Sequence, residues 1–259
     1  STKPLQIFMT TYHWRDLFLI GFIICFLLLI LVIFLMPEKK IEVQSDKESN
    51  FYVYMQIIKN KNFYTLAPVS ALGLASFFSI QGLWANGWMS DVAGLTQEQI
   101  GIRLLIVAIA MSFGTLGNGA LVDYLSKRGF NRAKYLAIGL LALFLIQISF
   151  ALNIDTDGYW QWAILGLTGN IGVLVHPILN KTYPPGYSAR SISTIAVSTF
   201  LMVFLIQFSI GFILDIWGPN DLGSYPKVAY NYAFGMLVII EVIFFSWMLV
   251  NIRKLKINF

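Results

Sequence analysis

Glu241 stands in the apolar stretch Val-Ile-Ile-Glu-Val-Ile-Phe, where nothing nearby in the chain solvates a carboxylate. A carboxyl in such surroundings either takes up and releases a proton or stays as a polar contact hydrogen-bonded to a neighbouring segment, because an isolated charge away from water is costly. Arg103 lies near the start of another apolar run, where its guanidinium can attract an anion or reach the polar boundary while its stem stays in hydrocarbon. Lys3, in Ser-Thr-Lys-Pro-Leu-Gln-Ile-Phe, is a third charge among apolar neighbours, and a cation there favours anionic ligands. Asn118, Gln147, Asn170, Gln207 and Ser79 add uncharged hydrogen-bonding groups, suited either to lining an aqueous cavity or to joining one helix to the next. His176 precedes Pro177, and its imidazole suits an interfacial hydrogen bond or a proton carrier.

Other chemistries find no support. There is no P-loop, no glycine-rich dinucleotide turn, no His-Glu-x-x-His and no Cys/His metal spacing, so neither a cofactor nor a metal is expected. No catalytic residues cluster at one end of the apolar runs, and an enzyme is not expected. The single cysteine, Cys25, lies inside an unbroken apolar run and offers no disulfide framework. Net charge is +5, but the basic residues are scattered between apolar segments without a stripe or recognition motif, which argues against nucleic acid.

The elements that must position these groups follow from the solvent. Of 259 residues, 57% are hydrophobic and 12% charged, a composition that suits a lipid bilayer better than water. Mean hydropathy is +0.70. Crossing about 30 Å of hydrocarbon takes about 20 apolar residues in a helix, because every backbone polar group must pair internally. Seven runs meet this: Asp16 to Met36, Phe63 to Trp88, Ile100 to Val122, Tyr135 to Asn153, Tyr159 to Asn180, Ser191 to Ile216 and Tyr230 to Ile252. An all-α, polytopic membrane helix bundle is expected. Glu241 then lies about 16 Å deep at 1.5 Å per residue. Gly166, Gly169 and Gly172 recur every third residue of one run and permit close backbone approach or bending, while Pro177 is expected to kink that run. Trp84, Trp88, Trp160, Trp162 and Trp217 fall at run ends, where an aromatic belt at headgroup depth is expected.

Loop charges orient the stack. Placing the Met36 end inside gathers Lys39, Lys40, Lys47, Lys59, Lys61, Lys127, Arg128, Arg132, Lys134, Lys181, Arg190, Arg253, Lys254 and Lys256 on one side. Only Arg15 and Lys227 fall opposite, together with Asp91, Glu98, Asp155, Asp157 and Asp221, the asymmetry that marks a cytoplasmic face. The expected organisation is a partial helix over 1–12 and a spanning helix over 16–36, a cytoplasmic linker over 37–62, a six-helix bundle over 63–252 and a cytoplasmic tail over 253–259. The linker is expected to carry a surface helix from Phe51 to Lys59.

Five stretches resemble the major facilitator superfamily. Residues 1–12 followed by Trp14, Arg15 and Phe18 are similar to the junction of that family's fifth and sixth helices. Gly119-Ala-Leu-Val-Asp123-Tyr-Leu-Ser-Lys127-Arg128-Gly129, with Arg132, resembles its short cytoplasmic switch loop. There Gly119 is expected to let helices approach, and Asp123 to accept from a helix N-terminus or pair with an arginine. Tyr183-Pro-Pro-Gly-Tyr-Ser-Ala-Arg190-x-x-x-Thr194 resembles a loop between the tenth and eleventh helices in a bacterial subset. Gln207-x-x-x-Gly211-x-x-x-Asp215-x-Trp217 and Gln81-Gly-Leu-Trp84-x-x-x-Trp88-x-x-Asp91 resemble its eleventh and seventh helices.

The resemblance implies helices six to twelve with the end of the fifth, in a bacterial inner membrane. It also implies a secondary active transporter of a small polar or anionic solute, with a coupling proton as a further partner. A missing N-terminal half of the same transporter is the expected partner, since substrate in this family lies between two halves. The alternative is a membrane sensor or scaffold that keeps the fold without transporting.

Overall fold

The computed structural model describes residues 3–35, 50–183, 186–221 and 223–252. Residues 37–49 of the expected linker, Pro184-Pro185 of the quoted loop and the expected tail lie outside the described residues. Every regular element is helical among those described: α1 (Lys3–Thr11), α2 (Trp14–Leu35), α3 (Asn50–Lys59), α4 (Lys61–Ser79), α5 (Ala85–Asp91), α6 (Gln97–Lys127), α7 (Arg132–Ala151), α8 (Trp160–Gly169), α9 (Val175–Asn180), α10 (Ser188–Trp217) and α11 (Lys227–Ile252). A π-helical turn, Ile80–Trp84, joins α4 to α5, and a 3₁₀ turn, Ile171–Leu174, joins α8 to α9. The seven expected runs are thus seven helices long and apolar enough to cross a membrane, and the chain is an integral membrane protein.

Several spans outrun their apolar stretches because polar caps carry the ladder past hydrocarbon. Thr96 and Gln99 form a reciprocal capping box at α6, and Asn131 accepts from the Ala133 and Lys134 amides at α7. Each satisfies N–H groups that a helix start leaves open.

The expected single helix over 159–180 is interrupted. Pro177 has no N–H to give the carbonyl four residues back, Val173, and the chain passes through the 3₁₀ turn at that point. The glycines of this span serve packing as well. A methyl group on Gly166 would lie 2.6 Å from the Val107 carbonyl, one on Gly169 2.4 Å from the Phe77 ring, and one on Gly172 2.6 Å from the Ser70 carbonyl.

Gly119 does not act as the sequence implied. Nothing lies within 4 Å of where its side chain would be, whereas a methyl group on Gly114, five residues earlier, would lie 2.3 Å from the Leu167 carbonyl oxygen. The helical rotation between the two positions puts only Gly114 on the α8 face.

The aromatic belt needs the same correction. Trp160 and Trp217 are exposed, but Trp88 and Trp162 are 0% and 1% exposed. Both pack on Phe150, at ring-centroid distances of 5.2 and 4.7 Å, because helix phase turns them inward rather than toward headgroups.

α2 has no buried residue and is apolar all round, as a helix bathed in lipid is. α3 is the expected surface helix, and it is docked. Val53 and Ile57 are fully buried, the Tyr183 hydroxyl donates to the Ile57 carbonyl at 3.4 Å, and that of Tyr187 to Gln56 Oε1 at 3.3 Å. Burial pushes the Tyr183 phenol up from its ordinary range.

Candidate functional site

The π-turn is where the bundle opens. Ile80 shares its N–H between the Ser76 and Phe77 carbonyls, and the Ala85 N–H reaches back five residues to Ile80, so one extra residue is held in the helix. Trp84 anchors the turn from one side, since a methyl on Gly211 would already lie 3.3 Å from its ring. On the other side Gln81 and Asn86 face a cleft of about 450 Å³ completed by Leu5 of α1, Gly82, Leu83, and Leu104 and Ala108 of α6. Two amides beside apolar side chains can orient a small polar solute by hydrogen bonds. Sequence reasoning quoted Gln81 only within a motif and passed over Asn86; the available signal was an amide pair five residues apart in an apolar span.

Asn118 and Asn170 lie on the α6–α8 seam. Asn118 donates to the Leu167 carbonyl at 2.9 Å and accepts from Tyr135 at 2.8 Å, while Asn170 donates to Thr115 at 3.0 Å. Both amides therefore bond helix to helix. Gln207 is half-buried on α10, one turn before the glycine that Trp84 touches. Ser79 donates to the Val203 carbonyl of the same helix at 3.3 Å. His176 is half-buried with Nδ1 unpartnered. α1 carries Lys3 and packs against α6; the Lys3 side chain lies outside the described set.

Glu241 and Gln147, 94 positions apart in sequence, meet in space. Glu241 is 0% exposed and Gln147 1%. Ser76 of α4 and Gln147 of α7 are the polar side chains facing the carboxyl. They are bonded to each other, Nε2 to Oγ at 2.9 Å, and the Ser76 hydroxyl donates to the Gly73 carbonyl at 3.1 Å. Both carboxyl oxygens of Glu241 and the Oε1 of Gln147 fall short of hydrogen-bond geometry with any partner.

Arg103 is 2% exposed. It donates to the carbonyls of Gln99 at 3.2 Å and Asp157 at 2.5 Å and covers the Tyr159 ring at 4.2 Å. The guanidinium thereby ties α6 to the loop before α8.

At the basic end, Asp123 pairs with Arg132 at 2.9 Å, the arginine alternative of the two expected. Arg128 covers the Tyr124 ring at 4.3 Å, Lys127 closes α6 and Arg190 sits in the first turn of α10. At the acidic end the two helix motifs converge on the loop before α11. Asp91 accepts from the Tyr225 amide and the Tyr230 hydroxyl, each at 3.0 Å, and Asp215 from the Tyr225 hydroxyl at 2.7 Å. The hydrogen bond to Asp215 is the main reason the Tyr225 phenol is held above its ordinary 10.0, with burial and the two carboxylates adding to it. Among the described residues no group of His, Cys, Asp and Glu could hold a metal ion.

A family model described as Major Facilitator Superfamily matches residues 4–205. No curated protein matches the chain.

Proposed function

Because the chain belongs to the major facilitator superfamily, whose members are membrane transporters, we propose that it moves a small polar or anionic solute by alternating access, coupled to an ion gradient. The observation that carries the reading is the cleft at the π-turn, where the Gln81 and Asn86 amides project from apolar walls. A volume of about 450 Å³ is within the usual range for small-molecule sites. In this reading residues 63–252 form one of two rocking bundles, with the cleft on the side that meets the other. α1, which contributes Leu5 to the cleft wall, belongs to that other bundle. The grouping of Lys59, Lys61, Lys127, Arg128, Arg132, Lys181 and Arg190 at one end supports reading that end as cytoplasmic, in a bacterial inner membrane.

The test places the complete gene product in liposomes and screens labelled polar and anionic solutes with and without an ion gradient. Uptake should be lost or its KM raised at least about tenfold in Gln81→Leu and Asn86→Leu, a loss of about 1.4 kcal/mol of solute binding. Undiminished uptake in both variants would remove the cleft from the solute path.

A further inference from the structure

We propose that the surface of α4 around Pro68 binds an anionic phospholipid, its two acyl chains lying one on each side of the proline and its phosphate at Lys59 and Lys61. Two hollows share Pro68 as a wall. One, of about 260 Å³, is closed by Ile243, Phe244 and Trp247 of α11. The other, of about 80 Å³, lies toward α10, against Ile195, Ser198 and Met202. Among the lining residues the one hydroxyl, that of Ser198, donates to the Thr194 carbonyl at 2.9 Å. Its proton is already placed, and the walls call for an apolar occupant.

What fills them follows from their place in the bundle. After Tyr64, every residue of α4 as far as Phe77 is buried except Pro68, so the proline is a window in an otherwise covered helix. On α11, Ile243 and Trp247 are exposed together with Ile239 and Val250, one apolar face turned outward from the bundle. Hydrocarbon covers such a face in a membrane span. The hollow beside Pro68 opens onto it, and an acyl chain restores the dispersion contacts that an empty hollow forfeits.

The order of groups along the groove selects the kind of lipid. Lys61, Tyr64 and Pro68 stand at i, i+3 and i+7, on one face of α4, and span about 10 Å at 1.5 Å per residue. Tyr64 meets Trp247, with ring centroids 6.5 Å apart, and Pro68, one turn deeper, meets Ile243 and Phe244. Tyr and Trp settle at headgroup depth. Beyond them Lys59 closes α3 and Lys61 opens α4, both exposed. Among the described residues neither lysine pairs with a carboxylate. Cation, amphipathic aromatic pair and apolar hollow thus follow one another as phosphate, glycerol ester and acyl chain do in a phospholipid. Two cations without a counter-charge favour a headgroup of net negative charge over a zwitterion.

The test reconstitutes the complete gene product in phosphatidylcholine bilayers containing brominated phosphatidylglycerol or brominated phosphatidylcholine, whose chains quench tryptophan on contact. The difference between parent and Trp247→Phe isolates the Trp247 signal. Brominated phosphatidylglycerol should quench it at a mole fraction at least about fivefold lower than brominated phosphatidylcholine does. Replacing both lysines, Lys59→Gln with Lys61→Gln, should remove that preference while leaving quenching by phosphatidylcholine unchanged, which also shows that the variant is folded. Equal quenching by the two lipids in the parent would mean ordinary boundary lipid only. Quenching by neither would mean that protein covers the groove. Either result, or a preference that survives loss of both lysines, overturns the proposal. No solute is present, so the outcome is independent of the cleft at Gln81 and Asn86.

Discussion

Gly114 and Gly235 are both mid-helix glycines in membrane spans, and replacing each by alanine should move stability in opposite directions. A methyl group at Gly114 would lie 2.3 Å from the Leu167 carbonyl oxygen and 2.8 Å from two further backbone atoms, against an ordinary contact of 3.4 Å or more. Because the obstruction is backbone, α6 and α8 must separate by about 1 Å, and overpacking of this kind costs about 1–3 kcal/mol. The separation also stretches the Asn118 bond to the same carbonyl, which contributes about 1 kcal/mol. Alanine returns up to about 1 kcal/mol in helix propensity, so the net effect is a loss of about 1–3 kcal/mol. At Gly235 nothing lies within 4 Å, only the propensity gain remains, and the variant should be more stable by about 0.5–1 kcal/mol. Denaturant unfolding in detergent, followed by tryptophan fluorescence, measures both. Equal effects, to within about 0.5 kcal/mol, would refute the claim that α6 and α8 meet backbone to backbone at Gly114.

Tyr225→Phe removes the hydroxyl on Asp215 but keeps the amide on Asp91. Since the folded phenol titrates above the ordinary 10.0, its bond stabilises fully below that pH and is lost as pH rises through the folded value. The stability gap between parent and Tyr225→Phe should stay constant from neutral pH to about 10 and then close, as thermal unfolding across pH will read; a gap that widens above 10 contradicts the assignment. Ile57→Ala empties a fully buried position under α3 and should cost about 2 kcal/mol or more. Amide exchange across Asn50–Lys59 should then speed up while that of α7 stays unchanged, and equal exchange in parent and variant would mean α3 is not held by this contact.

The number of spans, their type and their ends to within a few residues were all legible in the sequence. Each depends on a local fact: how many consecutive residues tolerate hydrocarbon. The same locality explains the errors. Trp88 and Trp162 have the composition of a headgroup belt, and Gly119 has that of a close approach. What a residue meets depends on rotation about the helix axis relative to a neighbour far away in the chain. Gln147 and Glu241 each stood out as polar groups in apolar runs, but their meeting beside Ser76 did not, nor did the convergence of Asp91 and Asp215 on Tyr225.

The solvent of this chain, its helical class and its membership in a transporter family were determined by the sequence alone, because they are sums over many residues and tolerate local error. The tertiary structure decided which polar groups became fasteners, which faced the cleft and where the helix ladder slipped by a residue at Ile80. Those outcomes turn on angstrom-scale contacts between segments distant in sequence, where one methyl group or one turn of phase changes the answer.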